Sequence, residues 1–270
     1  MHGEEMKLIT LGPAGTFSHE LALKIIKNEK EIVLLPTIHS IMTAVARNEG
    51  DGIVPMENSE AGGVGETLDG LSKYPLFITA EMYLPVRHNL ASLVTLGEMR
   101  VIYAHPQTHE QCSDAIEKWG LPVIHTSSNA SSAFEAKKTP NAGAILSETA
   151  AALYHMPILI RNTENSAWNT TRFVRISTKP SKDKQPEKCS ILIDPSTDRA
   201  GLLFDLLGAF AKRKINLSRI ESRPSKRGIG NYVFFLDYAW SDETAEALEE
   251  LRKITNIKEL GCYRKVKVPE

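Results

Sequence analysis

Cysteine is scarce in this chain: three in 270 residues, at positions 112, 189 and 262. So few, so far apart and odd in number, they exclude a disulfide-stapled miniprotein. They read as reduced thiols in a cytoplasmic protein. Long apolar runs are missing as well, since none approaches the ~18 residues of a membrane span. The start, Met1-His2-Gly3-Glu4-Glu5-Met6, has neither the basic nor the apolar region of a secretory signal. An excess of either charge is missing too. Lys and Arg number 32 and Asp and Glu 33, a formal net charge of -1, so bulk charge recruits neither nucleic acid nor an anionic membrane. There is no low-complexity tract and no repeat of solenoid period. What remains is ordinary globular composition, 42% hydrophobic and 24% charged. At ~100–200 residues per domain, the length fits one large domain or two smaller ones.

The clearest seam is 179–188, with four Lys, two acids, two Pro and no apolar residue. Such a stretch buries nothing to offset its ordering entropy and reads as a linker. Before it, short apolar runs alternate with helical patterns. Lys7 to Leu11, Gly52 to Pro55, Val101 to Ala104 and Ala144 to Leu146 read as strands. Helical spacing follows at Leu21, Ala22, Ile25 and Ile26, at Ile41, Met42 and Val45, from Glu110 to Trp119, and from Ser147 to Tyr154. This alternation predicts an α/β domain with parallel sheets, whose ligands bind where strand ends meet helix N-termini. After the seam the order is strand (Cys189 to Asp194), helix (stripe from Leu202 to Phe210), strand (Ile215 to Glu221) and strand (Asn231 to Tyr238). A helix capped by Ser241 and a last strand near Glu259 to Val266 complete it. This is the βαββαβ order of a ferredoxin-like domain. One sheet face should carry the helices and the other should stay free, or offer an edge, for dimerisation.

Four loops of the first part could carry chemistry. Gly12-Pro13-Ala14-Gly15-Thr16-Phe17-Ser18 follows a strand and opens a helix, which suits an anion or a plain turn. Pro55 to Val64 places Glu57, Asn58 and Ser59 at a strand end, for capping or for binding. His105-Pro106-Gln107-Thr108-His109-Glu110-Gln111-Cys112 holds possible metal ligands, but no fourth ligand is evident and ordinary helix-start residues explain it better. Asn169-Thr170-Thr171-Arg172-Phe173 combines hydroxyls with a guanidinium suited to a carboxylate, or begins a strand with a surface Arg. No nucleophile set, metal site or cofactor motif emerges. The residues point to a small anionic ligand held by loops.

These four loops, in this order and followed by that second domain, resemble the prephenate dehydratases of the monofunctional, regulated type, from about Lys7 to Tyr263. Asn169 to Phe173 is similar to the family's most diagnostic motif, a Thr-Arg-Phe triplet with an Asn three residues before the Arg. Gly12 to Phe17 and Pro55 to Ser59 resemble its other catalytic signatures, and His105-Pro106-Gln107 is a familiar segment. Glu221-Ser222-Arg223-Pro224 resembles a signature of its phenylalanine-binding ACT domain. One departure stands out: where the family usually has Gly-Ala-Leu-Val, this chain has Gly201-Leu202-Leu203-Phe204.

The resemblance implies a two-lobed catalytic domain of periplasmic-binding-protein type over 7–178. Lobe one would hold about 7–83 and 163–178, and lobe two about 84–162. A linker over 179–188 and an ACT domain over 189–267 would follow. It implies decarboxylative dehydration of prephenate to phenylpyruvate, for phenylalanine biosynthesis, with no cofactor and no metal. Arg172 would clamp a carboxylate, Thr171 would hydrogen-bond the departing hydroxyl, and Glu57 could supply a proton. Gly15, Thr16, Asn58, Ser59, Asn169, Thr170 and Phe173 would bind substrate. L-Phenylalanine would inhibit by binding near Gly201, Leu202, Leu203, Asn216, Glu221, Ser222, Arg223 and Pro224 in a homodimer or homotetramer. Partners in nucleic acid or membrane are not expected. Arogenate dehydratase and a non-catalytic amino-acid sensor are the alternatives.

Overall fold

A computed structural model describes residues 7–26, 28–195, 199–225 and 231–269. Three sheets organise it. The first is built from β1 (Leu8–Leu11), α1 (Phe17–Ile25), β2 (Ile32–Leu35), α2 (Ile38–Ala46), β3 (Asp51–Asn58), β4 (Gly62–Gly63), α3 (Gly65–Lys73) and β5 (Phe77–Pro85). The chain then leaves for a second sheet: β6 (Asn89–Ser92), β7 (Val101–Ala104), α4 (Pro106–Gln111), α5 (Ser113–Trp119), β8 (Val123–His125), α6 (Asn129–Lys138), β9 (Ala142–Leu146), α7 (Glu148–Leu153) and β10 (Ile158–Ile160). It returns as β11 (Thr170–Ser177), which inserts between β3 and β5. The first sheet therefore runs β2-β1-β3-β11-β5, with β4 on β3, and the second runs β10-β6-β9-β7-β8.

The expected parallel sheets are in fact mixed. β1 pairs in parallel with β2 and β3, but β11 is antiparallel to both β3 and β5. The reason is connectivity: a strand that re-enters from another sheet needs no crossover helix, so its direction is free. Local chemistry sets the helix starts. Thr16 caps α1, Thr37 and Ser40 form a capping box on α2, and Ser128 and Ser147 cap α6 and α7. The predicted helix from Glu110 to Trp119 breaks at Cys112 into α4 and α5.

The third sheet comprises β12 (Lys188–Asp194), α8 (Leu202–Ala211), β13 (Leu217–Pro224), β14 (Tyr232–Ala239), α9 (Thr244–Ile254) and β15 (Asn256–Tyr263), ordered β13-β14-β12-β15. The βαββαβ order is the expected one. Ser241 does not cap α9; its N–H donates to Thr244 Oγ1 and its own hydroxyl has no partner. One sheet face carries α8 and α9 over Cys189, Ile191, Leu236 and Tyr238. The other face is not free. Leu192, Val233, Phe235, Leu260 and Tyr263 share one core with Val54, Leu71, Ile78 and Ile176 of the first sheet. Alternation in these strands puts apolar residues on both faces, which a half-covered sheet would not require. Among the described residues, no helix is long and apolar enough to cross a membrane.

The expectation of three reduced thiols is corrected. Cys189 and Cys262 lie opposite each other on neighbouring antiparallel strands and form a disulfide. Their separation of 73 residues in sequence gives no hint of this pairing. Cys112 is free and buried, and burial pushes its thiol up to about 12. Unfolding without reductant should therefore expose one thiol to Ellman's reagent, and unfolding after reduction three. A count of three without reductant contradicts the pairing.

Candidate active site

A cavity of about 530 Å³ opens between the first and second sheets. From the first sheet's side it is lined by Thr16, Phe17, Asn58, Gly62, Gly63, Val64, Thr171 and Phe173. From the second come His88, His105, Gln107, Gln111, Ser128 and Asn129. The N-termini of α1 and α6 both reach it.

Thr171 sits at the end of a fixed relay. Asn58 Oδ1 accepts from the Glu60 and Ala61 N–H groups, each at 3.0 Å, so its Nδ2 must point the other way. That Nδ2 donates to Asn169 Oδ1 at 2.7 Å and to Thr171 Oγ1 at 3.0 Å. Asn169, fully buried, is oriented in turn by donating to Glu60 Oε2 at 3.1 Å. Thr171 Oγ1 thus receives a hydrogen bond, and its own proton is left to donate into the cavity. Ser59 and Thr170 staple the same two segments: Ser59 N–H donates to the Thr170 carbonyl, and Thr170 N–H to Ser59 Oγ.

Strand alternation sends Arg172 the other way. Thr171 and Phe173 face the cavity, so the residue between them faces the third sheet. Arg172 is 3% exposed. Its Nη1 lies 2.5 Å from Asp237 and 3.0 Å from Glu57, its Nε 2.8 Å from Glu81, and its Nη2 donates to the Tyr263 hydroxyl at 3.0 Å. Burial opposes its charge, but Asp237, Tyr263 and Glu81 hold its pKa above the ordinary value. Tyr263 and Asp237 are themselves joined through Ser190 Oγ. Lys188 adds a second cation at Glu81.

The expected carboxylate clamp is therefore corrected: Arg172 is an anchor between the catalytic strand and the third sheet. Glu57, expected as a proton source, also turns from the cavity. It is held by Arg172 and by Arg219 Nε at 3.0 Å. Of the residues expected to bind substrate, Thr16, Asn58 and Phe173 meet in the cavity, together with the expected catalytic residue Thr171. Ser59, Asn169 and Thr170 support it from behind. Gly15 has φ +90 and lies against Ala150 of α7, joining the two sheets' helices rather than lining the cavity.

Sequence reasoning singled out the His105 to Cys112 loop without giving it a site role, and it missed His88, Ser128 and Asn129. His88 is 1% exposed; its Nε2 faces Gln111 Oε1 at 3.0 Å, and burial lowers its pKa. Burial, then the charge of His125, lowers His105. Among the described residues, no Lys or Arg lines the cavity. His109 and His125 hydrogen-bond each other at 2.9 Å.

The expected effector residues divide between two places. Gly201, with φ +78, begins α8 together with buried Leu202 and half-exposed Leu203. Phe204 is 79% exposed, so the bulk of the altered motif points outward. Glu221, Ser222, Arg223 and Pro224 lie on the edge strand β13, and the Asn216 carbonyl accepts from Ala239.

A cavity between two α/β lobes with an oriented threonine hydroxyl, fused to a βαββαβ unit, defines the class of two-lobed α/β proteins carrying a small ferredoxin-like domain. Residues 8–181 match the family model for prephenate dehydratase, and residues 196–256 match that for the ACT domain. The bifunctional chorismate mutase/prephenate dehydratase of Aquifex aeolicus is 35% identical over 276 residues, covering 99% of this chain and 76% of that one. The prephenate dehydratase of Methanocaldococcus jannaschii is 34% identical over 264 residues, covering 93% and 95%. The crystal structure of Arthrobacter aurescens prephenate dehydratase in complex with L-Phe superposes with a TM-score of 0.85 at 27% identity, covering 96% and 90%. The chain belongs to the prephenate dehydratase family, and its activity is the conversion of prephenate to phenylpyruvate.

Arg172→Met should leave buried Asp237 without its cation, since Glu57 keeps Arg219 and Glu81 keeps Lys188, and lower stability by roughly 3–5 kcal/mol in denaturant melts. Unchanged stability with a raised KM for prephenate would return Arg172 to substrate binding.

Proposed function

We propose that the interlobe cavity performs this reaction by orientation and neutral hydrogen bonding, with Thr171 as the catalytic donor. Residues 7–178 form the catalytic domain, in lobes of about 7–83 with 163–178 and 84–162. Residues 179–188 link it to the regulatory domain at 189–267. Prephenate carries two carboxylates and a ring hydroxyl. Its ring loses the hydroxyl and one carboxylate together, and the electrons of the broken carbon–carbon bond complete the aromatic ring. One proton from water is taken up, and phenylpyruvate, carbon dioxide and water leave.

The observation that carries this reading is the Asn169–Asn58–Thr171 relay, which frees one hydroxyl proton to meet the departing oxygen. A threonine hydroxyl is too weak an acid to give that proton away, so it stabilises charge as the charge develops. With no Lys or Arg among the described lining residues, the carboxylates are held by the N-termini of α1 and α6 and by Gln107 and Asn129. Phe17, Val64, Val86 and Phe173 surround the carboxylate that departs, and an apolar setting favours loss of its charge. Glu57 and Arg172 support this machinery from outside the cavity.

L-Phenylalanine is the feedback inhibitor in this reading, bound at the ACT domain in a homodimer or homotetramer. Its support is the ACT match, the L-Phe complex of the Arthrobacter aurescens relative and the unpaired edge of β13.

Thr171→Ala should lower kcat about 100-fold or more with little change in KM, as when a single transition-state donor is lost. Thr171→Ser should keep most of the activity. Full activity in Thr171→Ala removes Thr171 from the chemistry. Assays with prephenate and arogenate in parallel separate the two substrates.

A further inference from the structure

Only one peptide segment separates the cavity from the effector strand. Gly62, Gly63 and Val64 line the cavity on one side. On the other side, a Cβ added at Gly63 would meet the carboxylate of Glu221, and one at Gly65 would come within 2.7 Å of the Arg223 guanidinium. Alternation along β13 turns Arg219, Glu221 and Arg223 toward this wall, while Ser218, Ile220, Ser222 and Pro224 are exposed. Arg219 bridges the two sides. Its Nη2 binds Glu221 within the effector motif, and its Nε lies 3.0 Å from Glu57 Oε2. Glu57 precedes Asn58, the residue that donates to Thr171, and its other oxygen holds Arg172, the residue after Thr171. The Arg219 side chain is 9% exposed, so it has little room to exchange partners with water.

We propose that Arg219 transmits the effector's occupancy to the catalytic relay. L-Phenylalanine at the Glu221–Pro224 strand displaces the Arg219–Glu221 pair. Arg219 passes the displacement through Glu57 and the Gly62–Gly65 wall to Asn58 and Thr171. The proposal rests on the reading of the cavity as the prephenate site and of β13 as the effector strand. Because linkage is reciprocal, L-phenylalanine and a cavity ligand should weaken each other by the same factor, of order 5–150-fold for typical couplings.

The test uses the full chain as wild type, Arg219→Gln and Arg219→Lys. Turnover of prephenate is titrated with L-phenylalanine, and L-phenylalanine binding is measured by calorimetry with and without phenylpyruvate. Hydrogen exchange is followed at residues 57–64 and 169–173. Arg219→Gln should keep kcat within about threefold of wild type, since Arg219 touches no reacting atom. It should still bind L-phenylalanine, lose most of the inhibition, and lose the phenylpyruvate effect on that binding. Arg219→Lys, which keeps the charge, should retain part of the response. In the wild type, L-phenylalanine should change exchange at 57–64 and 169–173, and in Arg219→Gln it should not. Inhibition of Arg219→Gln equal to wild type overturns the proposal. So does a wild type that binds no L-phenylalanine, or one that binds it without altering exchange at 57–64. The exchange result does not depend on turnover, so an inert wild type refutes the cavity reading while the link is still judged.

Discussion

Everything in this architecture hangs on a guanidinium that is buried between domains. Taking one charge out of water costs several kcal/mol, and that cost is offset only when partners surround the charge. Arg172 has Glu57 and Glu81 from the first sheet, and Asp237 and Tyr263 from the third. No single domain supplies enough partners. The regulatory domain is therefore part of the solvation of a residue in the catalytic motif, and the two domains cannot separate without stranding a charge. The shared apolar core around Ile78, Phe235 and Leu260 excludes the water that would otherwise compensate. Pairing of β11 with β3 and β5 then fixes the direction in which Thr171 points.

Much of this was legible in the residues. Helix faces at Leu21 to Ile26 and at Leu202 to Phe210, the strand at Gly52 to Pro55, and the βαββαβ order follow from periodicity and are present. The polar loops at Asn58 and Asn169 to Phe173 converge because their strands are neighbours. What failed was direction. Period-two alternation in Thr171-Arg172-Phe173 already forbids all three side chains from sharing one cavity, and a motif read as a unit conceals that. The Arg172 partners lie 65 and 91 residues away, at Asp237 and Tyr263, beyond any local pattern. Of the cavity residues of the second sheet, the His105 to Cys112 loop stood out in the sequence, but its place opposite His88 was hidden. His88 and Gln111 become neighbours only when β6 and α4 pack, and each alone looks like an ordinary polar residue. The Cys189–Cys262 pairing depends on register between β12 and β15, which composition does not encode.

The consequence for the proposed function is a cavity that would bind a dianion with no Lys or Arg among its described lining residues. Helix N-termini and amides supply partial charge already oriented, so little reorganisation accompanies the reaction. In the proposed mechanism, hydroxide departure is assisted by a threonine whose oxygen already accepts a hydrogen bond from Asn58. In the same proposal, loss of the carboxylate is assisted by neighbouring apolar side chains. The strong charges sit one layer further out, where they hold strands rather than substrate, and that layer is shared with the regulatory domain.

The most direct test is a crystal structure of the protein with phenylpyruvate bound. This account predicts the ligand carboxylate at neutral donors from both lobes, near the N-termini of α1 and α6, with the Thr171 hydroxyl facing the ring. Arg172 should remain on Asp237 and Tyr263. A guanidinium turned into the cavity and paired with the ligand carboxylate would contradict it.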